Sequence, residues 1–107
     1  MKGMNPQMGN LMKQAQQLQK KMAEVQEGLR SRVVENTTDG GMVRAQVNGK
    51  QELVALKIDP EVVDPDDVEM LQDLIMAAVA QGIKKSQELA EKEMAKVSGG
   101  MGMPGMF

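Results

Sequence analysis

Residues 40–60 read GGMVRAQVNGKQELVALKIDP, between two longer stretches of helical pattern. Asn48-Gly49 suits a two-residue type I′ turn, in which both central positions need φ > 0. Val43, Ala45 and Val47 alternate with polar residues before it, and Val54, Leu56 and Ile58 alternate after it. Pairing about that turn sets Val47 opposite Lys50 and Val43 opposite Val54. Both apolar rows then share one face, with Arg44, Gln46, Gln51 and Lys57 on the other. A hairpin inside an otherwise helical chain makes the fold class α+β.

Working outward, RSRVVEN at 30–36 reads as a further strand and TTDGG as turn chemistry. Strands at 31–36, 42–48 and 50–58 form a three-stranded antiparallel meander with one apolar face. Upstream, Leu11, Ala15, Leu18, Met22, Val25 and Leu29 are spaced 4, 3, 4, 3 and 4 apart, a heptad seam. With Asn10 as cap, this predicts a helix over 10–30 of about 30 Å. Downstream, Asp64-Pro65-Asp66-Asp67 reads as a helix start: an Asp cap, Pro at the first position and acids in the first turn. Val68, Leu71, Leu74, Ile75, Ala78 and Val79 make a dense stripe, which thins after Gly82 to Ile83, Leu89, Ala90, Met94 and Val97. The helix over 65–97 is therefore expected to pack on the sheet by its first half and to extend beyond it by its second. Residues 1–9 and the Gly/Met-rich 98–107 are expected to be flexible, leaving a single domain over 10–97.

One small sheet cannot cover both helices. An apolar seam left in water is an association site, and a homodimer joined through Val43, Val54, Leu56 and Ile58 on the apolar sheet face is the expected answer. In that reading the sheet is the body and helix pairs project from it.

Composition excludes more than it assigns. The 107 residues hold no Cys, His, Trp or Tyr, one Phe and 12 Met. Ser31, Ser86 and Ser98 have no His to activate them, so nucleophilic catalysis and a small-molecule substrate are not expected. Asp64, Asp66, Asp67 and Glu69 are better explained by a helix start than by a hard metal. Met101, Met103 and Met106 offer thioethers without a supporting His or Cys. No cofactor or metal is expected. The lack of Cys fits a reducing compartment, and no apolar run approaches the ~18–20 residues of a membrane span.

Charge is unevenly spread. Residues 1–50 carry eight Lys or Arg against four Asp or Glu, and residues 51–107 carry five against eleven. Lys13 and Lys20 share an outer face of the first helix with Gln17 between them and Lys21 beside them. Lys84, Lys85 and Lys92 lie along the second helix. Long Lys and Gln side chains suit duplex phosphates, and the lack of aromatics counts against single-stranded nucleic acid.

NLMKQAQQLQKKM (10–22), VNGKQELVALKIDPEVV (47–63), LQDLIMAAV (71–79) and KVSGGMGMPGMF (96–107) together resemble the YbaB/EbfC family of bacterial nucleoid-associated proteins. The resemblance implies an α-β-β-β-α subunit and a tweezer-like homodimer. It also implies double-stranded DNA binding in the cytoplasm and nucleoid, with effects on chromosome organisation and gene expression. Carried onto this chain, it points to Lys13, Gln17, Lys20, Lys21, Lys84, Lys85 and Lys92, with Arg30, Arg32 and Arg44 in a second tier nearer the body. The sequence departs from the family pattern at Ala80, where many relatives carry Asn, and at Gly82, where they carry a helix former. The rival reading is a protein-interaction module whose Met-rich helix pair grips a protein partner.

Overall fold

The computed structural model describes residues 6–100, and the side chains of residues 7–97. Its elements are α1 (Pro6–Leu29), β1 (Val33–Thr38), β2 (Val43–Asn48), β3 (Leu53–Ile58) and α2 (Val68–Gly100), with 3-10 turns at Asp39–Gly41 and Pro60–Val62. The strands form one antiparallel sheet in the order β1-β2-β3, so the chain is α-β-β-β-α and belongs to the α+β class.

The hairpin forms, but not in the expected register. Val43 pairs with Ile58, not with Val54, and Ala45 pairs with Leu56. Gln46 faces Ala55 while Val47 faces Leu53, leaving Val54 as the extra residue of a β-bulge. The connection is a three-residue loop closed by Asn48 N–H donating to Glu52 O (2.9 Å) and Gln51 N–H donating to Asn48 O (3.0 Å). The positive φ falls at Gln51 (62°), and neither Asn48 nor Gly49 adopts one. This is a type I turn followed by a left-handed residue.

Gly49 is required for a different reason. A Cβ there would lie 2.7 Å from the Leu29 Cβ and 2.8 Å from the Leu29 carbonyl oxygen. The Gly49 N–H donates to both Leu29 O and Arg32 O, each at 2.8 Å. The hairpin turn thus satisfies a carbonyl that the end of α1 leaves without an intrahelical partner.

Element boundaries move for local reasons. α1 begins at Pro6, a favoured first helical residue, so Asn10 sits inside the helix and not at its cap. β1 runs later than expected and takes in Thr37 and Thr38, which pair with Arg44 and Val43. At the other end, Asp64 does not cap α2. Its Oδ1 accepts from Asp66 N–H (2.9 Å) and its carbonyl from Asp67 N–H (3.0 Å), making a β-turn with Pro65 at its second position. Asp67 is the cap, its Oδ1 accepting from Met70 N–H at 3.2 Å. α2 continues to Gly100. The flexibility expected of residues 1–5 and 101–107 lies outside the described residues.

The core lies between α2 and the inner face of β1 and β2. Val43, Ala45, Val62 and Ala78 are buried, with Leu71, Leu74, Ile75, Val79 and Ile58 packed against them. Polar residues facing inward from β1 are satisfied: Asn36 donates to Gln81 Oε1 and Thr38 Oγ1 donates to Leu74 O, both at 3.2 Å. Contact with the sheet runs further along α2 than the thinning stripe suggests. A Cβ on Gly82 would lie 2.9 Å from Val47 Cγ2, so the missing side chain lets helix and strand approach closely. One turn on, fully buried Ser86 donates its hydroxyl to Asn48 O.

Candidate nucleic-acid interface

The turn after β2 is where both helices are tied down. Asn48, 2 % exposed, accepts on Oδ1 from Lys50 and Glu52 N–H and donates from Nδ2 to Glu52 Oε1. Gln51 Nε2 donates to Gly49 O and to Ser86 Oγ. Leu29 at the end of α1, 3 % exposed, sits on the same turn. The hairpin therefore fixes α1 and α2 to one point on the sheet.

Beyond that point the two helices run antiparallel. Val25, Gly28, Leu29, Arg32 and Glu93 line one cavity between them. Arg32 donates to Glu93 Oε1, and Lys96 pairs with Glu93 Oε2 at 3.1 Å. The Arg32 hydrogen bond, then that of Lys96, holds the Glu93 carboxyl below the usual glutamate range. Arg32 is thus a clasp between the arms, and Arg30 pairs locally with Glu27 at 3.1 Å. Arg44 donates from Nε to Gly41 O at 3.2 Å and lies directly across from Lys57 on the outer sheet face.

The α1 seam is covered progressively along its length. Leu29 is buried, Val25, Met22 and Leu18 are half-buried, and Ala15 and Leu11 are exposed. At 3.6 residues per turn, Lys13, Gln17 and Lys20 lie on the side of α1 away from that seam, with Lys21 on its flank. All four are exposed. The same outer side carries Glu24 and Glu27 nearer the sheet, so its cationic stretch is confined to the outer part of the arm.

The α2 lysines do not share one setting. Lys85 donates from Nζ to Glu35 O at 3.2 Å, occupying an edge carbonyl of β1. Lys84 is exposed beside it, next to Ser86 and so over the sheet, not on a projecting arm. Lys92 is exposed beyond the sheet. The structure thus brings together Lys13, Gln17 and Lys20 and separates Lys84 and Lys85 from them. The Arg32–Glu93–Lys96 cluster and the Asn48–Ser86 junction were not anticipated. A small polar Ser one turn after Gly82 on the sheet-facing side of α2 was the sequence signal for the second of these.

Among the described residues, apolar side chains are exposed along β3, at Leu53 (47 %), Val54 (51 %) and Leu56 (38 %), and on the outer part of α1, at Leu11 (63 %), Met8 and Met12 (both 56 %). Val43, expected at a subunit interface, is fully buried within its own chain and offers a second copy no surface.

A small three-stranded sheet anchors an antiparallel helix pair whose first helix carries an exposed cationic side on its outer part. The YbaB/EbfC DNA-binding family model matches residues 4–101, and the chain belongs to that family. It is 51 % identical over 102 residues to a nucleoid-associated protein of Alkaliphilus metalliredigens, covering 95 % of this chain and 90 % of that one. A nucleoid-associated protein of Clostridium perfringens is 57 % identical over 100 residues, covering 94 % and 89 %. Among solved structures, the uncharacterized protein HP0035 from Helicobacter pylori aligns with a TM-score of 0.62 at 28 % identity, covering 73 % of this chain and 90 % of that one. No helix among the described residues is long and apolar enough to cross a membrane.

Proposed function

We propose that the protein binds duplex DNA as a homodimer on the nucleoid, without catalysis, and shapes chromosome organisation and gene expression by doing so. The observation that carries this reading is the division of labour on α1. One side is apolar and turns toward α2, while the opposite side presents Lys13, Gln17 and Lys20 to solvent, with Lys21 beside them. Ammonium groups on a long exposed helix contact phosphates without reading base edges, so affinity is electrostatic and sequence readout weak. Lys92 on α2 and Lys84 over the sheet are exposed and add positive charge apart from that group. Lys85 contributes charge while tethered to β1. Arg30 and Arg32 are engaged with Glu27 and Glu93, which makes them supports of the arm. The two subunits meet along the β3 side through Leu53, Val54 and Leu56, with half-buried Ile58 behind them.

The test is a Lys13→Gln, Lys20→Gln, Lys21→Gln triple variant assayed on several duplexes. Binding weakens about equally for all sequences, and the dependence of log K on log salt becomes shallower by about 0.9 for each phosphate contact removed. An unchanged salt slope removes these residues from the interface.

A further inference from the structure

The apolar side of α1 continues past the part that α2 covers. Met22 and Val25 are half-buried and Leu29 is buried, whereas Met8, Leu11, Met12 and Ala15 prolong the same side and are exposed. Leu11 and Ala15 keep the 4-and-3 spacing of the seam. The exposed stretch therefore offers another helix the knobs and holes of a coiled coil.

Charge, size and direction favour a second α1 as that helix. Between Met8 and Gln19 the only charged residue is Lys13, which lies on the opposite side of the helix. Met12, Gln14 and Gln19 flank the seam, so a second copy approaches without like-charge repulsion, while a charged partner finds no counter-ion beside it. Laid antiparallel about a two-fold axis level with position 13, Leu11 of each copy meets Ala15 of the other, and Met8 meets Leu18. Each small Ala15 then makes room for the opposing leucine. Antiparallel is also the direction in which α2 already packs on this seam, so the second α1 continues an interface that the chain has begun.

We propose that the outer part of α1 pairs antiparallel with the same stretch of a second copy, joining molecules arm to arm in addition to the contact along β3. The overlap from Met8 to Leu18 is about 15 Å of helix. So short a contact buries far less than the ~800 Å² per partner of a standard interface, and it forms only at high protein concentration. The lysine side of α1 stays free on both copies, and pairing does not depend on DNA binding.

Two measurements test it on the full chain. In sedimentation velocity over rising concentration, the wild type is expected to associate further than a Leu11→Lys, Ala15→Lys variant. Both positions are exposed and lysine is a good helix former, so the variant keeps its fold. Identical concentration dependence of the two proteins overturns the proposal.

The second uses the absence of native Cys. In the antiparallel pair the two Gln14 side chains are neighbours across the axis, whereas Gln17 stands on the lysine side. Gln14→Cys, oxidised mildly, is expected to cross-link chain to chain faster than Gln17→Cys, and equal rates overturn the pairing. The preference is expected to persist when Leu56→Lys is added to break the β3 contact. Its loss there would confine the contact to the arms of one β3-linked dimer and overturn the joining of separate molecules.

Discussion

Gly49 and Gly82 show how a residue can be kept for what it lacks. A Cβ at position 49 meets Leu29 from two directions at 2.7–2.8 Å, including its backbone. At position 82 it meets one buried methyl of Val47 at 2.9 Å. Gly49→Ala is expected to cost roughly 2–3 kcal/mol, as overpacking against backbone does. Gly82→Ala recovers about 1 kcal/mol of helix propensity and is expected to cost less. Gly28→Ala, with nothing within 4 Å of the new Cβ, is expected to be neutral or stabilising. Urea unfolding of the three variants gives the ranking, and an equal cost at 28 and 49 would contradict it. Sequence showed that Asn48-Gly49 marks a turn but assigned the wrong reason. A window of neighbouring residues contains φ preferences, whereas Leu29 arrives from twenty positions away.

Glu93 belongs to the same scale. Its carboxyl is held below the usual range by Arg32 and then Lys96. A depressed carboxylate contributes stability that is present above its unfolded pKa and lost as pH falls through the folded one. Glu93→Gln is therefore expected to lower stability at neutral pH. The gap to the wild type should close as pH falls below the usual glutamate pKa of about 4.3. A gap that persists unchanged in strong acid would mean that the cluster acts by packing and not by charge.

At the scale of elements, the sequence showed the order of helices and strands because their hydrophobic periods differ so clearly. Boundaries were harder to read where the same dipeptide does different work. Asp59-Pro60 opens a 3-10 turn and Asp64-Pro65 a β-turn, and α2 waits for Asp67. The β3 register was hidden for a related reason, since a bulge at Val54 leaves alternation on either side looking regular. That strand is the open edge of the sheet. Its Leu53, Val54 and Leu56 stay exposed, because α2 packs mainly on β1 and β2. Leu56→Lys is expected to convert a dimer to monomers in sedimentation velocity while far-UV circular dichroism stays unchanged. A variant that remains dimeric would move the interface elsewhere.

Across the whole molecule, the chain is long and thin, 78 × 26 × 18 Å. Two arms cannot be held at a fixed angle by so small a body unless they are joined to it firmly. The turn at residues 48–52 makes that junction, bonding α1 through Gly49 and α2 through Asn48 and Gln51. This answers why a mostly helical chain carries a hairpin. The candidate interface was legible in part: the Lys13–Gln17–Lys20 spacing shows a common side of α1 at once. That Lys84 and Lys85 stand over the sheet was not legible, because the apolar stripe of α2 thins before its contact with β2 ends. There small Gly82 and polar Ser86 carry the packing in place of large apolar residues.

The measurement that tests the central claim most directly is fluorescence anisotropy of the wild-type protein with labelled random and scrambled duplexes, titrated from about 50 to 200 mM salt. The account predicts binding at low salt that differs little between sequences and falls linearly on a log–log plot, by about 0.9 per neutralised phosphate. No binding at the lowest salt would contradict it and would leave the α1 lysines as a solvated face.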